Sequence, residues 1–159
     1  MGNRLRVHGT HVADRLERRL EARGLVVLRN ERHVVKRQHA RLTVVGLDDE
    51  STDTLDPDLA LQGVRDDQPV ICLNHDPSNA RDLMSYPWHW MLSGHTHGRG
   101  LRELKVVGRV VRRHRAFVSG HYQLEDRHIY VNRGLSYGQR RHAWCRPEIT
   151  VFRLGSTQH

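Results

Sequence analysis

The apolar residues Val12, Ala13, Leu16 and Leu20 recur at three- and four-residue steps. That is the spacing of one helical face and predicts a helix over residues 11–23. Gly24 stands where the chain leaves it, because glycine enters the left-handed region without a Cβ clash. Residues 25–28, Leu-Val-Val-Leu, form a short apolar run and read as a buried strand. Two runs rich in β-branched residues, 33–36 and 42–47, flank a polar turn and predict a hairpin. Residues 48–58 are polar and acidic, so Asp48-Asp49-Glu50 reads as a solvated loop. Pro57 sits where a short helix starts, reaching about residue 64.

Residues 70–74 form a second buried strand, ending at His75. Pro77 opens a helix through residue 83, and residues 90–92 form a third apolar strand, ending at Ser93-Gly94-His95. Strand, polar loop with histidine, helix and strand recur in that order, which predicts an α/β layered architecture. A basic stretch covers residues 109–115. Residues 117–124 and 128–132 then form a hairpin around Glu125-Asp126-Arg127, and residues 148–154 a last strand. This strand-rich tail is expected to pair into a second sheet. No repeat and no linker divides the chain, so residues 1–159 read as one domain.

Composition narrows the class. Recurrent apolar runs exclude a disordered chain. No run nears the roughly 18 residues that span a bilayer, and no apolar signal region opens the chain. Cys72 and Cys145 make neither a disulfide framework nor a Cys-x-x-Cys metal motif. A reduced, cytoplasmic setting is the expectation. The net charge of +8 comes almost wholly from arginine, since only Lys36 and Lys105 are lysines. One reading is a surface for phosphates or nucleic acid. The other, which the scatter of the arginines favours, is a general arginine bias.

Thirteen histidines are a second excess. His75 and His95 each follow an apolar strand, and ligands bind at the carboxyl ends of strands in open α/β sheets. The two meet if their strands are neighbours. His95 and His97 lie between Gly94 and Gly98, which free the backbone to curl and aim both rings at one point. Any one histidine is by default a surface residue or a core residue bonded to its own backbone. Three at two strand ends point to a divalent metal, since neutral imidazole is the usual nitrogen ligand. Asp76 either orients His75 or caps the helix at Pro77. Trp88 and Trp90 either shape a substrate mouth or anchor the strand before Ser93.

Gly94-His95-Thr96-His97-Gly98 resembles the last signature of the calcineurin-like metallophosphoesterases. Leu73-Asn74-His75-Asp76-Pro77 resembles the single-histidine motif that precedes it. Pro87-Trp88-His89-Trp90-Met91-Leu92, Tyr130-Val131-Asn132-Arg133-Gly134-Leu135 and Cys145-Arg146-Pro147-Glu148-Ile149-Thr150 are similar to the small bacterial phosphodiesterase branch. The resemblance runs from about Leu25 onward. It implies the C-terminal part of a layered two-sheet α/β sandwich with a two-metal centre between strand ends. It further implies that His75 and His95 ligate one metal and His97 the other, with Mn, Zn, Fe or Mg as the ions and a phosphoester as substrate.

The family's opening Asp-x-His and Gly-Asp, whose carboxylates hold and bridge the metals, have no counterpart in the N-terminal part of this chain. Gly2-Asn3 stands where Gly-Asn-His-Asp is expected, so the resemblance makes Asn3 a metal ligand, with Arg4 in place of the family's catalytic histidine and Leu5 in place of an acid. Arg99-Gly100 replaces the branch's Gly-Gln. Arg133, Arg141 and Arg146 match its tail, either in contact with phosphate or in structural pairs. The expectation is a metal-dependent phosphoester hydrolase, incomplete at its N-terminus and impaired as this chain. The other readings are a non-catalytic metal-binding remnant and a basic nucleic-acid-binding protein. Missing strands would leave an open sheet edge, which predicts self-association or a partner chain that supplies them.

Overall fold

The computed structural model describes residues 10–49, 53–106, 109–135 and 146–155. Helix α1 (Thr10–Glu21) forms where the three- and four-residue spacing places it. Gly24, at φ +79°, lets the Leu25 amide turn back to the Leu20 carbonyl. The apolar stripe of α1 is largely uncovered, with Val12 63% and Leu16 55% exposed. Charge fastens the helix instead: Arg29 reaches Asp14 at 3.0 Å, Glu17 at 3.2 Å and Asp48 at 3.4 Å.

The predicted hairpin is β1 (Glu31–Arg37) and β2 (Ala40–Gly46), antiparallel from Glu31↔Gly46 to Arg37↔Ala40. The short helix α2 (Pro57–Leu61) ends three residues before the expected 64 and is capped by Asp56, which accepts from the Leu59 amide. Strand β3 (Val70–Leu73) follows. The helix expected from Pro77 to 83 is one 3-10 turn, Pro77–Asn79, with further turns after it. Strand β4 (Trp90–Ser93) is one residue longer than expected. Next come the strands β5 (Leu101–Val106) and β6 (Arg109–His114), an antiparallel ribbon of their own. The basic stretch 109–115 is thus mostly a strand, with Val110-Val111 among its arginines. Strands β7 (Gly120–Leu124) and β8 (Arg127–Val131) complete the list.

The main sheet has six strands in the order β1-β2-β3-β4-β8-β7. Strands β2, β3, β4 and β8 run parallel, and the edge strands β1 and β7 are antiparallel. The fold is therefore α/β, with a mixed sheet and few helices. The hairpin at 117–132 does not found a second sheet. It joins the main one, because β8 pairs with β4 through Trp90↔His128 to Ser93↔Val131.

Two expected strands are absent. Residues 25–28 make no ladder, since β1 and β3 already occupy both edges of β2. They pass over the end of β2 instead, so close that a Cβ on Gly46 would lie 2.5 Å from Leu28 Cβ. Residues 148–154 make none either, because β4 and β7 already flank β8. This tail is held by side chains. Glu148 accepts from Tyr130 and from Arg133 Nε, while Thr150 receives Asn132 Nδ2 at 3.1 Å.

One face of the sheet is packed. Register sets Val45, Cys72, Met91 and Ile129 side by side, each 0% exposed. Ala60, Leu61, Ala80, Leu83 and Trp88 lie against them. Trp88 is a core residue, its indole N–H bonded to the Leu83 carbonyl at 2.7 Å. Burial pushes the Cys72 thiol up to about 12, so it is a packing group and not a nucleophile. Among the described residues, no helix is long and apolar enough to cross a membrane.

Candidate metal centre

Four parallel strands put four carboxyl ends on one rim. Asp48 and Asp49 follow β2, Asn74-His75-Asp76 follow β3, Gly94-His95-Thr96-His97 follow β4, and Asn132-Arg133 follow β8. Strands β3 and β4 are neighbours, and their pairing continues past the ladder. The Asn74 amide donates to the Leu92 carbonyl at 3.1 Å, and the Gly94 amide to the His75 carbonyl at 3.0 Å. The His75 and His95 rings meet as expected, with centroids 5.4 Å apart and planes at 88°.

The turn is built differently from the glycine argument. Gly98 does have a left-handed φ of +70°, but Gly94 does not. The curl is carried by the histidines themselves, His95 at φ +60° and His97 at +56°. Left-handed backbone costs a residue with a Cβ roughly 1–2 kcal/mol. Such strain persists only where its surroundings impose it. Here Thr96, 1% exposed, imposes it: its hydroxyl donates to the Val118 carbonyl and accepts from the Gly98 amide at 3.2 Å.

Asp76 fills both roles left open for it, with a change of partner. Its Oδ1 accepts from the Ser78 amide at 2.9 Å, capping the 3-10 turn. Its Oδ2 lies 3.2 Å from His95 Nε2, so it orients His95 and not His75. Burial works to raise the Asp76 carboxyl, but the Ser78 hydrogen bonds and the attraction of His95 and Arg115 outweigh it and hold it below the ordinary value. His75 and His97 are exposed, and His95 is half-buried.

Three contributors escaped the sequence reading. Asn74 is buried, and its amide donates to Asn79 Oδ1 at 2.6 Å and to the Asp76 carbonyl at 2.7 Å, fixing the loop that carries His75. Its signal was a polar residue directly after a buried strand. Asn30 staples the loop after β2, accepting from the Asp48 and Asp56 amides and donating to the Thr54 carbonyl. Arg115 faces Asp76 with its Nε buried and unpartnered among the described residues. Asp48 is more than a solvated acid, since it pairs with Arg29. Arg133 is in a structural pair with Glu148. Asn3, Arg4, Leu5, Glu50, Arg141 and Cys145 lie outside the described residues.

The donor set suits a divalent transition metal in kind, since imidazole nitrogen is its usual ligand. It falls short in number. Two rings converge, and among the described residues no group of three or more His, Cys, Asp or Glu is arranged to hold an ion.

Comparison with known proteins shows the family. Phosphodiesterase YaeI of Escherichia coli is 32% identical over 157 residues, 96% of this chain and 56% of that protein. YkuE of Bacillus subtilis, named a metallophosphoesterase, is 34% identical over 142 residues, 87% of this chain and 49% of YkuE. LpxG of Chlamydia muridarum, named a UDP-2,3-diacylglucosamine pyrophosphatase, is 29% identical over 121 residues, 70% of this chain and 37% of LpxG. No family model matches the chain, and no solved structure matches it significantly. The chain spans about half the length of the curated relatives it matches most fully. It is a relative of the metallophosphoesterases, a family of phosphoester hydrolases, over most of its own length.

Proposed function

We propose that the rim at the carboxyl ends of β3 and β4 belongs to a metal-dependent phosphoester hydrolase centre. The observation that carries this reading is the His75–His95 pair, perpendicular and 5.4 Å apart on neighbouring parallel strands. His75 and His95 would hold one divalent ion, with Asn3 as a further ligand. His97 would face a second ion. When bound, such ions supply positive charge for phosphoryl oxygens and lower the pKa of a coordinated water.

The chain's own residues prepare that site. Asn74 and Thr96 set the two histidine loops, and Asp76 holds His95 by Nε2. An ion held by that nitrogen would take the place of the Asp76 contact. The Arg115 guanidinium adds positive charge beside the rim, suited to an anionic substrate. Names among the relatives support a phosphodiester or pyrophosphate diester as substrate class.

The N-terminal part holds no Asp-x-His and no Gly-Asp, so the bridging carboxylates are missing from these 159 residues. Two imidazoles and one amide oxygen support one weakly held ion. The reading therefore predicts a metal-binding chain of low hydrolytic activity. Calorimetric titration with Mn2+, together with hydrolysis of bis-p-nitrophenyl phosphate, tests it. One ion per chain, lost in His75→Ala and His95→Ala, with turnover near background, is expected. Two ions with rapid turnover abolished by His95→Ala overturns the impaired reading. No metal uptake at all overturns the site.

A further inference from the structure

A second pair of histidines lies on the neighbouring strands of the same sheet. His121 is on β7 and His128 on β8. The register His121↔Tyr130 and Gln123↔His128 makes them diagonal neighbours on one face. Diagonal partners across antiparallel strands are within reach of long side chains. Here His121 Nε2 lies 3.0 Å from His128 Nδ1, with ring centroids 5.2 Å apart and planes at 27°. Trp90, level with His128 on β4, stacks on both rings, at 5.3 Å from His121 and 4.7 Å from His128. Phe152 meets the indole edge-on at 6.3 Å.

We infer that His121 and His128, backed by Trp90, form a chelating site for a late first-row divalent cation of the Cu2+ or Ni2+ class. Two nitrogens bound to one ion by bonds of ~2.0–2.1 Å lie ~2.9–3.3 Å apart, depending on the bond angle. The observed 3.0 Å is a hydrogen bond between the two rings, which an ion would replace, and its length falls in that interval. Stacking on one indole restricts both rings before any ion arrives, which lowers the ordering cost of binding. Neither imidazole has a carboxylate partner among the described residues, so the donor set is nitrogen only. Such a set disfavours Mg2+ and Ca2+, which take oxygen, and the general affinity order of nitrogen sites puts Cu2+ and Ni2+ high. His121 is exposed and His128 half-buried, so the pair lies at the surface, where water can fill an ion's remaining positions. This pair is distinct from the rim pair, since His121 and His128 stand on β7 and β8 while His75 and His95 follow β3 and β4.

The test is a titration of tryptophan emission with CuCl2, NiCl2 and MgCl2. It uses the untagged chain carrying His75→Ala and His95→Ala, so that the rim is silent. The expected result is saturable quenching by Cu2+ and Ni2+ at one ion per chain, confirmed by calorimetry, with none by Mg2+. His121→Asn and His128→Asn should each weaken it at least tenfold. Trp90→Phe should remove most of the quenching while the heat of binding remains. Melting curves without metal show whether each variant is folded, and an unfolded variant is replaced by His→Gln at the same position. Quenching that does not saturate, that Mg2+ matches, or that survives both histidine substitutions overturns the site.

Discussion

The two faces of the six-stranded sheet are made by alternate residues of the same strands, yet they end in different states. On one, Val45, Cys72, Met91 and Ile129 form a continuous row with no exposure, sealed by Trp88, Leu61 and Leu83. On the other, Val44, Ile71, Trp90 and His128 form the matching row and are only half-buried, while Leu73 is 40% exposed. Central parallel strands are usually apolar on both sides because both faces are covered. Here the described residues cover one face fully. The other is served by the tail, through Phe152 on Trp90 and Tyr130 and through Glu148 on Tyr130. The difference teaches that composition alone sets which residues prefer burial. Packing partners set which of them achieve it.

The sharpest test removes equal kinds of side chain from the two faces. Met91→Ala should cost about 2–5 kcal/mol, the range for a buried methionine that leaves a cavity. Leu73→Ala should cost less than about 1 kcal/mol, because exposed surface changes stability little. Urea unfolding of both variants checks this, and equal losses would show that Leu73 is covered in solution. A smaller effect belongs to Asn74, which carries the packed face up into the rim and touches Met91 Sδ. Asn74→Ala leaves the Asp76 carbonyl and Asn79 short of a donor, an expected loss of about 1–3 kcal/mol. Metal uptake at the rim should fall with it, because the His75 loop loses its anchor; calorimetry with Mn2+ reads that second effect.

On the open face, acid should loosen the tail. Tyr130, Arg133 and Thr150 bond Glu148 against the opposing effect of burial and hold its carboxyl down at about 2. A depressed carboxyl adds stability that is fully present above the ordinary carboxylate value and is lost as pH falls towards about 2. Wild type should therefore lose stability across that acid window, and Glu148→Gln should flatten the slope. Unfolding curves measured at steps of pH decide it. The smallest effect concerns the rim turn. His97→Gly removes the strain of a left-handed histidine and should raise stability by up to about 1 kcal/mol. Metal uptake should not rise with it, which separates strain from ligation.

Much of this was legible in advance where local chemistry decides. The α1 periodicity, the β1–β2 and β7–β8 hairpins, and the apolar strands β3 and β4 all stand where the pattern put them. The juxtaposition of His75 and His95 followed from strand ends and needed only that β3 and β4 be neighbours. Other features were illegible because they depend on distant partners. Residues 25–28 and 148–154 have strand composition, but no free edge of the sheet was available beside the strands they meet. The αL turn at His95 and His97 depends on Thr96 finding the Val118 carbonyl, 22 residues away. The meeting of Trp90, His121 and His128 depends on β8 pairing with β4 and not with a separate sheet.

By itself, then, the sequence determined most of the elements that form, α1, β1 to β4, β7 and β8, and which histidines stand at strand ends. These are short-range matters of side-chain size, backbone freedom and period. Only the tertiary structure decided the strand order, which face of the sheet is sealed, that Asp76 serves His95, and that a second histidine pair shares one indole. Those outcomes are set by competition for sheet edges and apolar surface among segments far apart in the chain, and no local pattern records who wins.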